Sequence, residues 1–244
     1  MKVVLSPNPY RDRGIKAAQS AERILKNAGV ETAMCLPFQV EGTNVELPRH
    51  IRFLDTQQEL KDADMLICFG GDGTILHAAK DANACGVPIL GVNLGSVGFM
   101  AELEQSELSH LSKIAAGRYT VESRMMLGVT VRREGKSVYT DIALNDAALT
   151  KVCADQMRIF SFSSDGVIVS TPTGSTAYSM SAGGPIVEPT AENIIITPIC
   201  PHALSARSFV LGKERTVSVK MGRAARKTTY LSVDGGKAFK LNGG

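Results

Sequence analysis

Met65-Leu66-Ile67-Cys68-Phe69-Gly70-Gly71-Asp72-Gly73-Thr74 is the stretch on which the fold turns. Five consecutive apolar residues suit a strand buried on both faces, the pattern of a parallel sheet. The glycines then end the strand, and a helix is expected to begin about Thr74, whose side chain suits an N-cap. The same rhythm surrounds it. Val3–Leu5 is a short apolar run. Ile15, Ala18, Ala21, Ile24, Leu25 and Ala28 fall close to a helical period, with Gly29 as the stop. Val30–Leu36 reads as the next strand, Asp55–Glu59 as a loop entering a short helix, and Val87–Val92 as another buried run. Strand and helix in alternation imply a parallel sheet with helical crossovers.

Beyond about residue 118 the texture changes. Tyr119–Arg133, Ser137–Lys151, Gln156–Phe162, Gly166–Ser170, Asn193–Thr197, Thr216–Lys220 and Thr228–Val233 are rich in β-branched and aromatic residues and read as strands. The expected fold class is therefore an α/β N-terminal domain with a parallel sheet plus a mainly β C-terminal domain. The change of texture lies near 101–118, and the division is drawn at 1–105 and 106–244.

Composition narrows the function classes. The formal charge of +3 is spread along the 244 residues, without the basic stripe of a nucleic-acid binder. A mild positive balance suits anionic small ligands. No apolar run reaches the roughly 18 residues of a membrane span, and the N-terminus lacks a signal-peptide plan. The five cysteines, Cys35, Cys68, Cys85, Cys153 and Cys200, are odd in number and show no CxxC spacing. That argues against a disulfide framework or zinc site and for a reducing cytoplasm. His50, His77, His110 and His202 have no metal-ligand spacing, so no protein metal site is expected.

The glycine turn carries the chemistry. Glycines let a phosphate approach the backbone, and a helix N-terminus offers free N–H groups and partial positive charge. A carboxylate there would repel a bound anion, so Asp72 makes sense as a base for an attacking hydroxyl or as a partner of phosphate-bridging Mg²⁺. No Lys-Ser/Thr pair follows the glycines, so this is not a Walker A loop. Asn93-Leu94-Gly95-Ser96-Val97-Gly98 follows the next strand and should lie at the same sheet edge.

Two further segments stand out. Residues 171–185 (TPTGSTAYSMSAGGP) hold seven hydroxyl side chains, three Gly and two Pro. Small hydroxyl residues suit directional bonding to a nucleoside or phosphate, and Tyr178 can pack on a base. Asn145-Asp146 interrupts an apolar run, which is costly unless a partner satisfies it. On local sequence it reads first as a hairpin turn, as does Asp165-Gly166. Gly174-Ser175-Thr176 lacks the G-x-S-x-G elbow of a serine hydrolase.

Together these motifs resemble the ATP-NAD kinase family over most of the chain. They occur in the family's order: Gly70–Thr74, Asn93–Phe99 (NLGSVGF), Asn145-Asp146, Asp165-Gly166 with Thr171–Pro185, and His202–Arg207 (HALSAR). The first motif is shared with lipid kinases and phosphofructokinases, whereas 171–185 is more particular. The resemblance implies a nucleotide site between an α/β and a β domain, and a homodimer or homotetramer. It also implies ATP as phosphoryl donor, Mg²⁺, and NAD as acceptor. Asp72 would be the base acting on the 2′-hydroxyl of the adenosine ribose, and Gly73 and Thr74 would approach phosphate. Asn145 and Asp146 would hold the adenine and ribose of NAD, and Asp165 the nicotinamide end. Thr173, Thr176, Ala177, Tyr178 and Ser181 would line the adenosine and nicotinamide pockets.

The chain also departs from the family pattern. Asn145-Asp146 stands where the family usually has Asn-Glu, and Asp234-Gly235-Gly236 where it has Asp-Gly-Gln. The family chain normally continues past the position of Gly244. Two rivals remain at this point: a lipid or sphingoid kinase sharing the glycine-aspartate loop, and a nucleotide sensor without catalysis.

Overall fold

The computed structural model describes residues 1–38, 40, 47–95, 98–150, 164–202, 206–219 and 229–241. The chain forms two compact units, Met1–Val121 and Glu122–Gly244.

In the first unit, β1 (Lys2–Pro7), β2 (Glu31–Met34), β3 (Met65–Gly70), β4 (Ile89–Asn93) and β5 (Leu103–Glu104) form an all-parallel sheet in the order β2-β1-β3-β4-β5. The apolar runs alternate between two cores. Val3, Leu5, Ile67 and Phe69 pack with Ala18, Ala21 and Leu25 of α1 (Lys16–Asn27). Val4, Leu66 and Cys68 pack with Ile75, Ala78 and Ala82 of α3 (Asp72–Cys85). β1 and β3 are thus buried on both sides, which is why no polar alternation marks them. The α1 stripe ends as expected, with Gly29 at φ 77° just past the helix. The short helix expected after Asp55 is α2 (Thr56–Glu59), and the Asp55 carboxylate accepts the Gln58 N–H to cap it. β1 and β3 are neighbours, and the chain leaves them in opposite directions. Ligands of open α/β sheets bind at the carboxyl edge of such a switch point.

The division between units falls after Val121, not after residue 105. Leu108 and Leu111 of the 3₁₀ stretch Gln105–Leu111, and Ile114 of α4 (Ser112–Ala115), are buried in the same core as α1. The change in texture marked the next strands but missed these helical turns.

In the second unit, β6 (Leu127–Arg133) and β7 (Lys136–Ala143) form a hairpin across Glu134 and Gly135, both at positive φ, the turn that matches strand twist. A six-stranded antiparallel sheet runs β11-β10-β9-β8-β12-β13. Its strands are β8 (Asp146–Thr150), β9 (Gly166–Ser170), β10 (Asn193–Ile199), β11 (Phe209–Gly212), β12 (Thr229–Val233) and β13 (Phe239–Leu241). Leu127 and Ala143 of the hairpin share one core with Ala147, Ile194, Leu231 and Val233 of the larger sheet.

Several strand expectations change. Ser137–Lys151 is two strands, since β7 pairs with β6 while β8 pairs with β9 and β12. Tyr119–Met126 is not strand, and neither is the described stretch 216–219. Gln156–Phe162 lies outside the described residues. No helix among the described residues is long and apolar enough to cross a membrane.

Candidate active site

The glycine turn sits at the carboxyl end of β3. Gly71 is the N-cap of α3, so the helix opens at Asp72, two residues earlier than expected. Thr74 is therefore not the cap. Its hydroxyl is buried and accepts a 3.0 Å hydrogen bond from Asn8 Nδ2, which ties the loop after β1 to the loop after β3. Gly70 has no room for a Cβ, which would meet Thr74 and Asn8, whereas Gly71 and Gly73 face open space. The room beside the backbone of this turn is thus at Gly71 and Gly73.

Asp72 is held by the loop after β4, so the two loops do meet at one sheet edge. Its Oδ2 accepts the Phe99 N–H at 3.0 Å and its Oδ1 the Met100 N–H at 3.2 Å. Gly98 makes this possible, because a Cβ there would press on the carboxylate, 3.0 Å from Asp72 Cγ. A carboxylate offers about four lone-pair sites, and two hydrogen bonds leave acceptor capacity for a substrate hydroxyl. Asn93 braces the same loop: its Oδ1 accepts the Gly95 N–H at 3.2 Å, and its Nδ2 donates to Glu104 at 3.1 Å. Ser96 and Val97 lie outside the described residues.

The second unit holds another polar constellation. Asn145 and Asp146 form the corner between β7 and β8, not a hairpin turn, and both are buried. Thr171 fastens the corner from below. Its N–H donates to Asn145 O at 2.9 Å, and its hydroxyl donates to Leu144 O at 2.5 Å. That hydroxyl also accepts the Gly174 N–H at 3.0 Å. The hydroxyl-rich segment is ordered as a 3₁₀ turn, Thr173–Thr176, followed by α5 (Tyr178–Ser181). Three buried polar atoms here have no partner among the described residues: Asn145 Oδ1, Ser170 Oγ and Thr173 Oγ1. Ser170 is the register partner of Asp146 across β8 and β9. Buried unpaired polar atoms cost roughly 1–3 kcal/mol each, so their gathering at one corner marks a place where a ligand can complete them.

A family model of the ATP-NAD kinase N-terminal domain matches residues 3–119, and one of the C-terminal domain matches 135–244. The chain belongs to the ATP-NAD kinase family. An NAD kinase of Acetivibrio thermocellus is 33% identical over 255 aligned positions, covering 100% of this chain and 86% of that protein. One from Lachnoclostridium phytofermentans is 43% identical, covering 98% and 87%. Among solved structures, yeast NADH kinase complexed with NADH superposes with a TM-score of 0.79 at 27% identity, covering 100% of this chain and 78% of that one. An Archaeoglobus fulgidus NAD kinase in complex with ATP gives 0.73 at 26%, covering 100% and 88%. Matching both domains of this phosphotransferase family sets the lipid-kinase reading aside.

Within this ATP-NAD kinase chain, the other expected site residues fall in two places. Thr173 is buried beside the corner, whereas Thr176 and Ala177 are half-buried and Tyr178 and Ser181 exposed. Thr176 Oγ1 donates to Thr173 O at 3.2 Å. Asp165 is exposed at the opposite end of β9 from Ser170. Five residue steps separate Asp165 from Ser170, about 17 Å at the usual rise. Asp165 and Asp146 therefore do not share one small subsite. In HALSAR, 203–205 lie outside the described residues.

One residue of this corner escaped sequence reasoning. Asp234 follows β12 at φ 50°, and in the sequence it stands out only as the first residue of Asp234-Gly235-Gly236, where the family has Asp-Gly-Gln. Its carboxylate accepts the N–H groups of Leu144, Asn145 and Asp146 at 2.8, 2.7 and 3.0 Å. The signal available was the Asp-Gly pair itself, which favours left-handed backbone.

Asp146 has a measurable signature. Burial, and then the negative charge of Asp234, push its carboxyl up from 3.8 to about 6. Between these values the folded protein keeps a proton that the unfolded chain has released. The associated stability is present below about pH 4 and is lost as pH rises through about 6. A gap of about two units corresponds to about 3 kcal/mol. The melting temperature of the ligand-free protein should fall across this window, and Asp146→Asn should flatten the fall. Parallel pH profiles for the two proteins would contradict the assignment.

Proposed function

We propose that this chain transfers the γ-phosphate of ATP to the 2′-hydroxyl of the adenosine ribose of NAD, giving NADP and ADP. The observation that carries the reading is Asp72, a carboxylate at the first residue of α3, fixed by two main-chain N–H groups with acceptor sites to spare. The ribose oxygen attacks the γ-phosphorus, its proton passes to Asp72, and the bond from that phosphorus to the β-phosphate oxygen breaks. Gly71 and Gly73 admit the donor phosphates to the helix end, where N–H groups favour anions. Thr74 supports the loop from beneath.

Asn145 and Asp146 hold the adenine and ribose of the acceptor. A ribose diol can donate to the Asp146 carboxylate, and Asn145 Oδ1 gains the partner it lacks. Thr173, Thr176, Ala177, Tyr178 and Ser181 line the adenosine and nicotinamide pockets, with Asp165 toward the nicotinamide end. Mg²⁺ is usually held by one or two carboxylates together with substrate phosphates and water. Asp72 beside the open glycine turn fits that donor set. When bound, the ion offsets charge on the phosphoryl oxygens.

The working form is a homodimer or homotetramer, a reading that rests on the resemblance. A reducing cytoplasm suits the free thiols of Cys35, Cys68, Cys85 and Cys200. Incubation with MgATP and NAD should yield NADP, with NADH and polyphosphate run alongside as alternative acceptor and donor. If no NADP forms while NAD binds in calorimetry, the chain is a sensor and the kinase reading fails.

A further inference from the structure

We propose that Asp234 is a positioning residue for the acceptor nucleoside, setting where Asn145 and Asp146 present their side chains. This rests on the reading of those two residues as acceptor-binding. Three consecutive amides, those of 144, 145 and 146, converge on the one Asp234 carboxylate, and the Asp234 N–H returns a 2.9 Å bond to Asp146 O. The pairing of β8 with β12 ends at Ala147 and Val233, so the two corners meet just past the last ladder pair. Successive N–H groups turned toward one point form an anion-binding concavity, and here a side chain of the protein occupies it.

The bonds all go to main chain. Asn145 Oδ1 is left buried without a partner among the described residues. A carboxylate that merely closed a turn would bond within its own loop. This one reaches across 88 to 90 residues of sequence to the corner that carries both acceptor groups. Asp234 itself touches no substrate in this assignment and acts through where it puts its neighbours.

The test uses the full chain with Asp234→Ala and Asp234→Asn. Asn keeps the oxygen that serves Asn145 and Asp146 but turns an N–H toward the Leu144 amide. Asp234→Ala should raise KM for NAD by about tenfold or more, with KM for ATP changed by less than about twofold. Asp234→Asn should recover part of the loss. Equal shifts in both KM values, or no shift in either, would overturn the proposal. If Asp234→Ala does not fold, the split between NAD and ATP in Asp234→Asn decides. If the wild-type chain makes no NADP, the kinase reading fails separately, and NAD affinity measured by calorimetry on the same variants decides the role of Asp234.

Discussion

Asp72→Asn should lower NADP formation by roughly 10²–10⁴-fold, the usual contribution of a positioned base, and leave the fold in place. The asparagine is isosteric and can still accept the Met100 N–H through its oxygen. Its amide nitrogen would face the Phe99 N–H, a donor against a donor, in place of the 3.0 Å bond present now. That exchange costs about 1–3 kcal/mol, a drop of a few degrees in melting temperature for a chain of this size. The loss should appear chiefly in kcat, because the proton proposed to pass to Asp72 moves only during the reaction. Steady-state kinetics and a thermal melt on the same preparation make the check. Undiminished turnover in the variant would remove Asp72 from the chemistry.

Gly174→Ala should damage the second unit itself. A methyl group at this position would lie 2.7 Å from Asn145 Cα and closer still to its carbonyl. These are backbone atoms, and they are pinned. Thr171 holds the Asn145 carbonyl, and Asp234 holds the amides on either side of it. Nothing can give without breaking the corner. Overpacking of this kind costs about 1–3 kcal/mol and sometimes more, and denaturant titration should show the midpoint falling accordingly. NAD binding should fall further than stability does, since the shift is delivered to the acceptor corner. A variant with wild-type midpoint and wild-type NAD affinity would show that the corner is softer than its hydrogen bonds indicate.

The first unit was largely legible in the sequence, for a physical reason. Strands buried on both faces appear as uninterrupted apolar runs, and Met65–Phe69 is one. The α1 stripe and its terminal glycine are equally local signals. The second unit was less legible. Within Ser137–Lys151 the one local break is Asn145-Asp146, which reads as a turn between paired strands; the groups that make it a corner between two sheets, Asp234 and Thr171, are distant in sequence. Tyr119–Met126 has β-favouring residues but no partner strand among the described residues, and propensity without a partner does not make a strand. β11 and β13 are only four and three residues long and depend on their neighbours' edges.

The candidate site shows the same division. The glycine turn and its aspartate announce themselves by composition. What holds the aspartate does not, because main-chain N–H groups have no sequence signature. Their trace is indirect: Gly98 is the residue that lets the loop approach. At the acceptor corner, the apolar flanks of Asn145-Asp146 did signal buried polar groups, while the identity of the anchor could be seen only in three dimensions.

The hold on Asp72 has one more consequence. Every amino acid except proline supplies a main-chain N–H, so the exposed side chain at 99 can be exchanged without removing the main-chain bond to the carboxylate, whereas the Met100 side chain packs against the core beside α3. Phe99, 62% exposed, can therefore drift toward whatever surface best meets a bound molecule. The hold on Asp72 and the surface shown beside it are written on the same short loop in separate alphabets, one in backbone and one in side chains. Directed variation at 99 should accordingly change that surface while leaving both main-chain bonds to Asp72 in place.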